Sequence, residues 1–445
     1  MKKRNLWAMS LIGLALTACT QDEEINNAIN QDAEGTVVSL KIDFAGAQTK
    51  AAGDLPVDGT DKDATEAESK VSSLTVVVTD ATSGNVVKSV NTGSGGGITT
   101  VTEQQTTKYE FKVPKGTYKF YAFANSNKTT FTESQQLIPN QLEATYAGGS
   151  DYKSVYADNN FLMGNENGES SEFIIGNEPS YDVNITLERA AVKVTAKCEN
   201  PTLTDGAQSQ PKEVGKISNV QFLLNGLRQK TYLMAYNGSE NNKRTCPNES
   251  DYVFAQDENG DLQEGFSFTS IGSTSSQNPL YCLENTQTSY TDANTTYVVF
   301  NTKFVPAKVV ELNTGKDNFE QKENANYAGN TPASFYVINN GDWAGNYILK
   351  TYYDSNKADI DKLVSLSDEF EGGTCYFAAP INKQGTSAPY AYPVFRNDWY
   401  DLSITAIKLP GSPNIPDLNL DGVDITLTTT VKGWNYVTKD VNLGE

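Results

Sequence analysis

The chain has 445 residues, a formal net charge of −20 and no histidine. So acidic a chain does not suit nucleic acid, whose phosphates are bound through basic patches, and without imidazole there is no Ser-His-Asp or Cys-His catalysis, no histidine metal site and no ordinary neutral-pH general base. Carboxylate pairs alone could still hydrolyse glycosides, but 23 Tyr, only 4 Met and abundant Thr and Asn make a composition typical of exported β-structure.

At the N-terminus, Lys2, Lys3 and Arg4 precede the apolar run "LWAMSLIGLAL", which "LTAC" closes at Cys19. A basic start, an apolar stretch too short to span a bilayer and small residues at its end describe an export signal. Its ending resembles a bacterial lipobox, which makes Cys19 the expected site of lipidation and the new N-terminus. Residues 20–35 are polar and acidic and read as a tether. In "TVVSLKIDF", Val38, Leu40, Ile42 and Phe44 alternate with Ser39, Lys41 and Asp43, the period of a half-buried strand. The following "AGAQTKAAGDLPVDGTDKDATEAES" has no periodicity and reads as a long, protease-accessible loop containing Lys50 and Ala51.

From Lys70 onward, strands recur between turn signals. "VSSLTVVVTD" and "VVKSVNT" flank an "SGN" turn, and "KYEFKVPKGTYKFYAFANSN" reads as two strands broken at Pro114 to Gly116. In "SYDVNITLERAAVKVTAKC" the apolar phase of Val183, Ile185 and Leu187 slips before Val192 and Val194, which predicts a bulge or a domain crossing near residue 188. Short strands between polar loops fill the second half, with one expected helix over 354–370. The chain closes on Val423, Ile425, Leu427 and Val431, then on Trp434 at a change of phase at Lys432-Gly433, and on Val437, Val441 and Leu443. Many short strands in two halves fit two β-sandwiches better than one barrel.

The spacing that carries chemistry elsewhere is weak here. "DLNLDG" at Asp417 opens like a calcium loop, with Asn419, Asp421 and Gly422 in place, but Thr428 stands where a bidentate acid is needed, so a turn is expected; "DENGDLQEG" at Asp257 has the same weakness. "GSGGG" at 93–97 has no lysine and helix start after it and is no phosphate loop. Cys198, Cys246, Cys282 and Cys375 are too far apart for a metal knuckle; they allow two disulfides in any of three pairings, or four buried free thiols. No catalytic residue, metal ligand or cofactor is expected.

Several segments in order across nearly the whole chain resemble the fimbrillins of the minor-fimbria type, the shaft subunits of Bacteroidales type V pili. They are "LTAC", "VVSLKIDF", "TKAAGD", "KGTYKFYAFANSN", "LERAAVKV", "LRQKTYLM", "TTYVVFNTKFVP", "CYFAAPIN", "PVFRNDWYDLSITAIKLPG" and "VKGWNYVTKDVNL". The resemblance implies an all-β chain of two tandem transthyretin-like Greek-key β-sandwich domains with a C-terminal donor strand. It divides the chain into a signal peptide with lipobox (1–19), a propeptide (20–50), an N-terminal domain (51–188), a C-terminal domain (189–422) and a donor segment (423–445). A trypsin-like surface protease would cut between Lys50 and Ala51, where the best-known members are cut after arginine. Loss of the strand carrying Val38, Leu40, Ile42 and Phe44 would open a groove for the donor residues Val423, Ile425, Leu427, Val431, Trp434, Val437, Val441 and Leu443 of the next copy. The implied partners are copies of the same chain, accessory fimbrial subunits, the protease and, before processing, the outer membrane through the lipid at Cys19. The implied role is that of a non-enzymatic subunit of an extracellular fimbrium that supports adhesion and biofilm formation. Alternative readings are a glycan-binding surface lipoprotein and an accessory anchor or tip subunit.

Overall fold

The computed structural model describes residues 35–44, 57–65, 67–103, 106–137, 153, 155–156, 160–168, 170–198, 202–204, 213–235, 246–247, 252–271, 278–385, 391–407, 411–420 and 425–435. Cys19, Lys50, Ala51, Val423, Val437, Val441 and Leu443 lie outside them. The first half contains β1 (Thr36–Phe44), β2 (Val57–Asp63), β3 (Leu74–Asp80), β4 (Val86–Asn91), β5 (Thr99–Glu103), β6 (Thr106–Val113), β7 (Gly116–Ala124), β8 (Met163–Asn165), β9 (Glu172–Ile175) and β10 (Ser180–Arg189). The second half contains β11 (Ala191–Lys197), β12 (Thr202–Thr204), β13 (Glu213–Asn225), β14 (Thr269–Ser270), β15 (Leu280–Leu283), β16 (Tyr297–Pro306), β17 (Lys308–Leu312), β18 (Phe319–Glu323), β19 (Phe335–Val337), β20 (Tyr347–Leu349), α1 (Lys350–Ile360), β21 (Thr374–Pro380), β22 (Trp399–Ile407) and β23 (Ile425–Asn435).

All strands of the first half except β2 belong to one sheet in the order β4-β3-β7-β8-β10-β1-β6-β5, with β9 added to β7. Val76, Val78 and Phe120 from β3 and β7 share one apolar cluster with Leu40, Phe111 and Ile185 from β1, β6 and β10. Strands well separated in the sheet thus line one core, so the sheet folds over on itself. In the second half, β15-β11-β22-β23-β2 form one sheet and β12-β13-β16-β21, with β14, form another. Val194 and Leu402 of the former pack with Phe222, Phe300 and Phe377 of the latter, the facing layers of a β-sandwich. The chain passes from the first sheet to the second in a single residue, Ala190, between β10 and β11.

Two elements differ from the reading of the sequence. The stretch 45–69 looked structureless, yet Val57–Asp63 runs as β2 and lies parallel to β23 at the edge of the second half's sheet. "VDGTDKD" has no apolar alternation, and its pairing rests on backbone groups that periodicity does not report. The helix spans Lys350–Ile360, earlier than the expected 354–370. Past Ile360, Leu366 and Phe370 form β-bridges to Ile338 and Phe335 instead. Tertiary pairing of these apolar residues overrides the helical period. Helix α1 and β17 to β20 surround a small core of their own, built on Val310, Phe319, Ile338, Ile348 and Ile360.

Candidate functional site

The first strand of the folded part is also an inner strand. β1 runs parallel to β10, from Val37 opposite Ser180 to Phe44 opposite Leu187. On its other edge it runs antiparallel to β6, from Thr36 opposite Val113 to Lys41 opposite Lys108. Val38 and Leu40 are 0% exposed and Ile42 is 7% exposed, while Phe44 packs half-buried against the same core. On the other face Ser39 Oγ donates to Glu110 Oε1 at 3.5 Å, and Lys41 and Asp43 form a surface ion pair at 3.2 Å. Burying Val38, Leu40 and Ile42 at roughly 1.5–3 kcal/mol each contributes about 5–9 kcal/mol, which is comparable with the whole stability of an ordinary domain, about 5–15 kcal/mol.

At the other end of the chain, part of the expected donor segment 423–445 is paired within its own molecule. Residues Ile425–Asn435 form β23, already hydrogen-bonded inside the same molecule: antiparallel to β22, from Ile425 opposite Ile407 to Lys432 opposite Trp399, and parallel to β2. Ile425 and Trp434 are 2% and 1% exposed. Ile425 enters the core of the second-half sandwich, with Leu427 packed against it, whereas Trp434 enters the core of the first half. The change of phase read at Lys432-Gly433 has this cause: one strand serves two cores, one on each face. Val431 pairs with Tyr400 within the same sheet. In this copy Ile425, Leu427 and Trp434 thus pack within their own molecule, and Val431 lies in the same strand; residues 436–445 lie outside the described residues.

Where the two halves meet, a buried polar cluster gathers around Trp434. Arg189, the last residue of β10, is 0% exposed. Its Nε donates to the Glu68 carbonyl at 2.7 Å, and its Nη1 donates to the Trp434 carbonyl at 2.9 Å and to Asn397 Oδ1 at 3.3 Å. Its guanidinium lies 4.3 Å from the Trp434 ring centroid, and the ring of Tyr281 stacks on the same indole at 5.9 Å. Glu68, 1% exposed in the short turn Ala67–Ser69, accepts at Oε1 from Lys193 Nζ at 2.8 Å and from the Tyr281 hydroxyl at 2.5 Å, and at Oε2 from the Thr65 N–H at 2.7 Å. Burial pushes the Glu68 carboxyl up, but the charge of Lys193 and the hydrogen bonds from Lys193, Tyr281 and Thr65 outweigh it and hold the group below its ordinary range. Burial, then the Glu68 charge, raise the Tyr281 hydroxyl. Neither Glu68 nor Arg189 stood out as a site in the sequence. The signal that could have found Arg189 was the charged pair Glu188-Arg189 interrupting an apolar alternation.

The remaining sequence candidates resolve into structure. Asp257 Oδ1 accepts the N–H groups of Asn259 and Asp261 at 2.8 and 3.0 Å, the side-chain geometry of a turn, and Asp417 Oδ1 accepts from Gln256 Nε2 at 3.1 Å. Cys198, Cys246, Cys282 and Cys375 are buried free thiols. Burial drives the Cys282 thiol up to about 12.

Comparison with known proteins draws on the same elements. Residues 36–189, from β1 to the end of β10, match the family model of the major fimbrial subunit protein (FimA). Residues 368–440, which take in β21, β22 and β23, match that of the major fimbrial subunit protein type IV, fimbrillin, C-terminal. The chain belongs to the fimbrillins. This fimbrillin is thereby a structural subunit of cell-surface, extracellular fimbriae. Among solved structures it is similar to a fimbrilin from Porphyromonas gingivalis at 14% identity, covering 91% of this chain and 99% of that one, with a TM-score of 0.48. It is also similar to the C-terminally truncated tip fimbrial protein of Porphyromonas gingivalis at 13% identity, covering 89% of this chain and 100% of that one, with a TM-score of 0.34. No curated sequence matches it. Among the described residues no helix is long and apolar enough to cross a membrane.

Proposed function

We propose that this fimbrillin is a shaft subunit that polymerises by strand exchange. It is made as an outer-membrane lipoprotein on Cys19, is cut between Lys50 and Ala51 by a trypsin-like protease, and exchanges β1 for residues 436–445 of a neighbouring copy. The observation that carries this reading is the position of β1. It is the first strand among the described residues, joined to the strands that follow through residues 45–56, yet it is an inner strand with Val38, Leu40 and Ile42 in the core. A single cut in that connection would make an inner strand replaceable. Strand addition then satisfies a ladder of backbone groups and refills the vacated pockets with alternate side chains, for which Val437, Val441 and Leu443 have the matching parity. Until the cut, β1 keeps two sheet edges paired and prevents premature assembly. Accessory fimbrial subunits would terminate and anchor the fibre, which would support adhesion and biofilm growth.

Purified precursor treated with a trypsin-like protease is expected to give a ladder of SDS-resistant, heat-sensitive oligomers whose subunits begin at Ala51. A chain ending at Asn435 is expected to be cut equally well and to stay monomeric. Polymerisation of that shortened chain would show that the donor lies elsewhere.

A further inference from the structure

The strand beside the groove is held almost wholly by the strand that must leave. From Ser180 to Thr186, β10 has β1 as its sheet partner along one edge. Along the other edge β8 reaches only Leu187, Glu188 and Arg189. Among the described residues nothing else pairs with β10, and beside its free stretch lies an open cleft of about 180 Å³ lined by Asn165, Ser170, Phe173, Asn184 and Thr186. Removing β1 before a replacement arrives would leave both edges of Ser180–Thr186 without a strand. It would also uncover Val183 and Ile185, which are 1% and 5% exposed. Unpaired backbone and bare core together cost as much as such a domain has to lose.

The two ends of β1 are not held equally. Val37 to Lys41 is gripped on both sides, by β6 and β10. Past Lys41, opposite Lys108, the register with β6 stops, and among the described residues the sheet pairing of Ile42, Asp43 and Phe44 is with Ile185, Thr186 and Leu187 of β10. At the other end only Thr36 has a single sheet partner, β6, so the longer singly paired end of β1 is the one that runs toward residue 50.

Resting on the strand-exchange reading, we infer that exchange is a displacement that begins at the Ile42–Phe44 end of β1. The incoming strand of a second copy pairs first beside Ile185 to Leu187 of β10, where β6 leaves room, and then replaces β1 residue by residue toward Val38. An empty-groove subunit is not an intermediate. Cutting the chain therefore licenses exchange without itself releasing β1.

The test uses the full precursor chain with a site for a sequence-specific protease placed between residues 45 and 56, a fluorophore on the β1 side of the cut, and coupling to a support so sparse that neighbours cannot meet. After cleavage the labelled fragment is expected to stay bound, with the amides of 180–187 protected from hydrogen exchange. A peptide of residues 436–445 is expected to release the fragment at a rate proportional to its concentration over a tenfold range. Ile42→Ala is expected to speed that release about tenfold and Val38→Ala less than about twofold, since only contacts already broken at the rate-limiting step change the rate. Release at one rate with or without peptide, or a larger effect of Val38→Ala than of Ile42→Ala, overturns the inference and leaves strand exchange standing. A fragment that remains bound at every peptide concentration overturns strand exchange by residues 436–445, and this inference with it.

Discussion

Arg189 and Glu68 are charged side chains with almost no contact with water, held in place by each other's neighbourhoods. A buried ion whose partner is removed is left uncompensated, at a cost of about 3–5 kcal/mol. Glu68→Ala, which strands the buried Lys193 ammonium, is expected to lower the unfolding free energy of the precursor by about that much, read from the denaturant midpoint at unchanged slope. The Glu68 carboxyl titrates below its ordinary range when folded. The stabilisation from its ionised form is thus complete above the unfolded value, about 4.3, and is lost as pH falls through the lowered folded value. The precursor is therefore expected to lose stability from about pH 5 downward, and Glu68→Gln to flatten that decline in paired unfolding curves. The four free thiols belong to the same scale. All are buried, and burial raises those of Cys246, Cys282 and Cys375. A maleimide is expected to leave Cys198, Cys246, Cys282 and Cys375 unlabelled in the native protein and to label all of them in denaturant, as counted by intact mass.

Among the elements, β1 is the one on which the proposed strand exchange turns. Ser39 and Glu110 stand opposite each other on β1 and β6 with their side chains in contact. Opposed residues of an antiparallel pair have Cα atoms about 4.5–5.5 Å apart, within the span of a disulfide. The double variant Ser39→Cys with Glu110→Cys, once oxidised, is expected to be cut normally but to form no SDS-resistant ladder, and to recover polymerisation on reduction. Leu40→Ala leaves a cavity in the core and is expected to destabilise the precursor by about 2–5 kcal/mol. β1 was legible in the sequence because alternation is local and Val38, Leu40 and Ile42 obey it. β2 was not, because "VDGTDKD" offers no apolar period and is placed by its pairing with β23, hundreds of residues away. Glu68, Arg189 and Trp434 were illegible as a cluster for the same reason: their contacts span the whole chain, and each residue alone looks ordinary. The closing strand was read correctly as amphipathic, but its own-molecule partner β22 could not be told from a neighbour's groove by pattern alone.

For the whole molecule, the spacing of strands and turns predicts two β-rich halves, and the structure adds how they are tied. The polypeptide leaves the first sheet after β1 to place β2 beside β23, returns to it at β3 and crosses again at Ala190, and Trp434 reaches from the second-half sheet into the first-half core. Loss of the Glu68 and Arg189 contacts would therefore loosen the tie between halves more than either core. Limited proteolysis of Arg189→Ala is expected to yield fragments cut near residues 64–70 and 190 that the parent resists.

On the proposed strand exchange, the Arg189 guanidinium would also share in how a fibre bears a pull. In a polymer joined by strand exchange, tension enters one subunit through the strands flanking the groove, β10 among them, and leaves past the end of β23. β11 begins and β23 ends at the same end of the second-half sheet, because Lys193 aligns with Trp399 and Trp399 with Lys432. Arg189 and the Trp434 carbonyl near the end of β23 are joined by a hydrogen bond of 2.9 Å, so part of that load would pass without running the length of the second sandwich. The rest would be shared by the β2–β23 pairing and by Trp434 in the first-half core, and the second sandwich, with α1 and its small appended core, would stand beside the line of force.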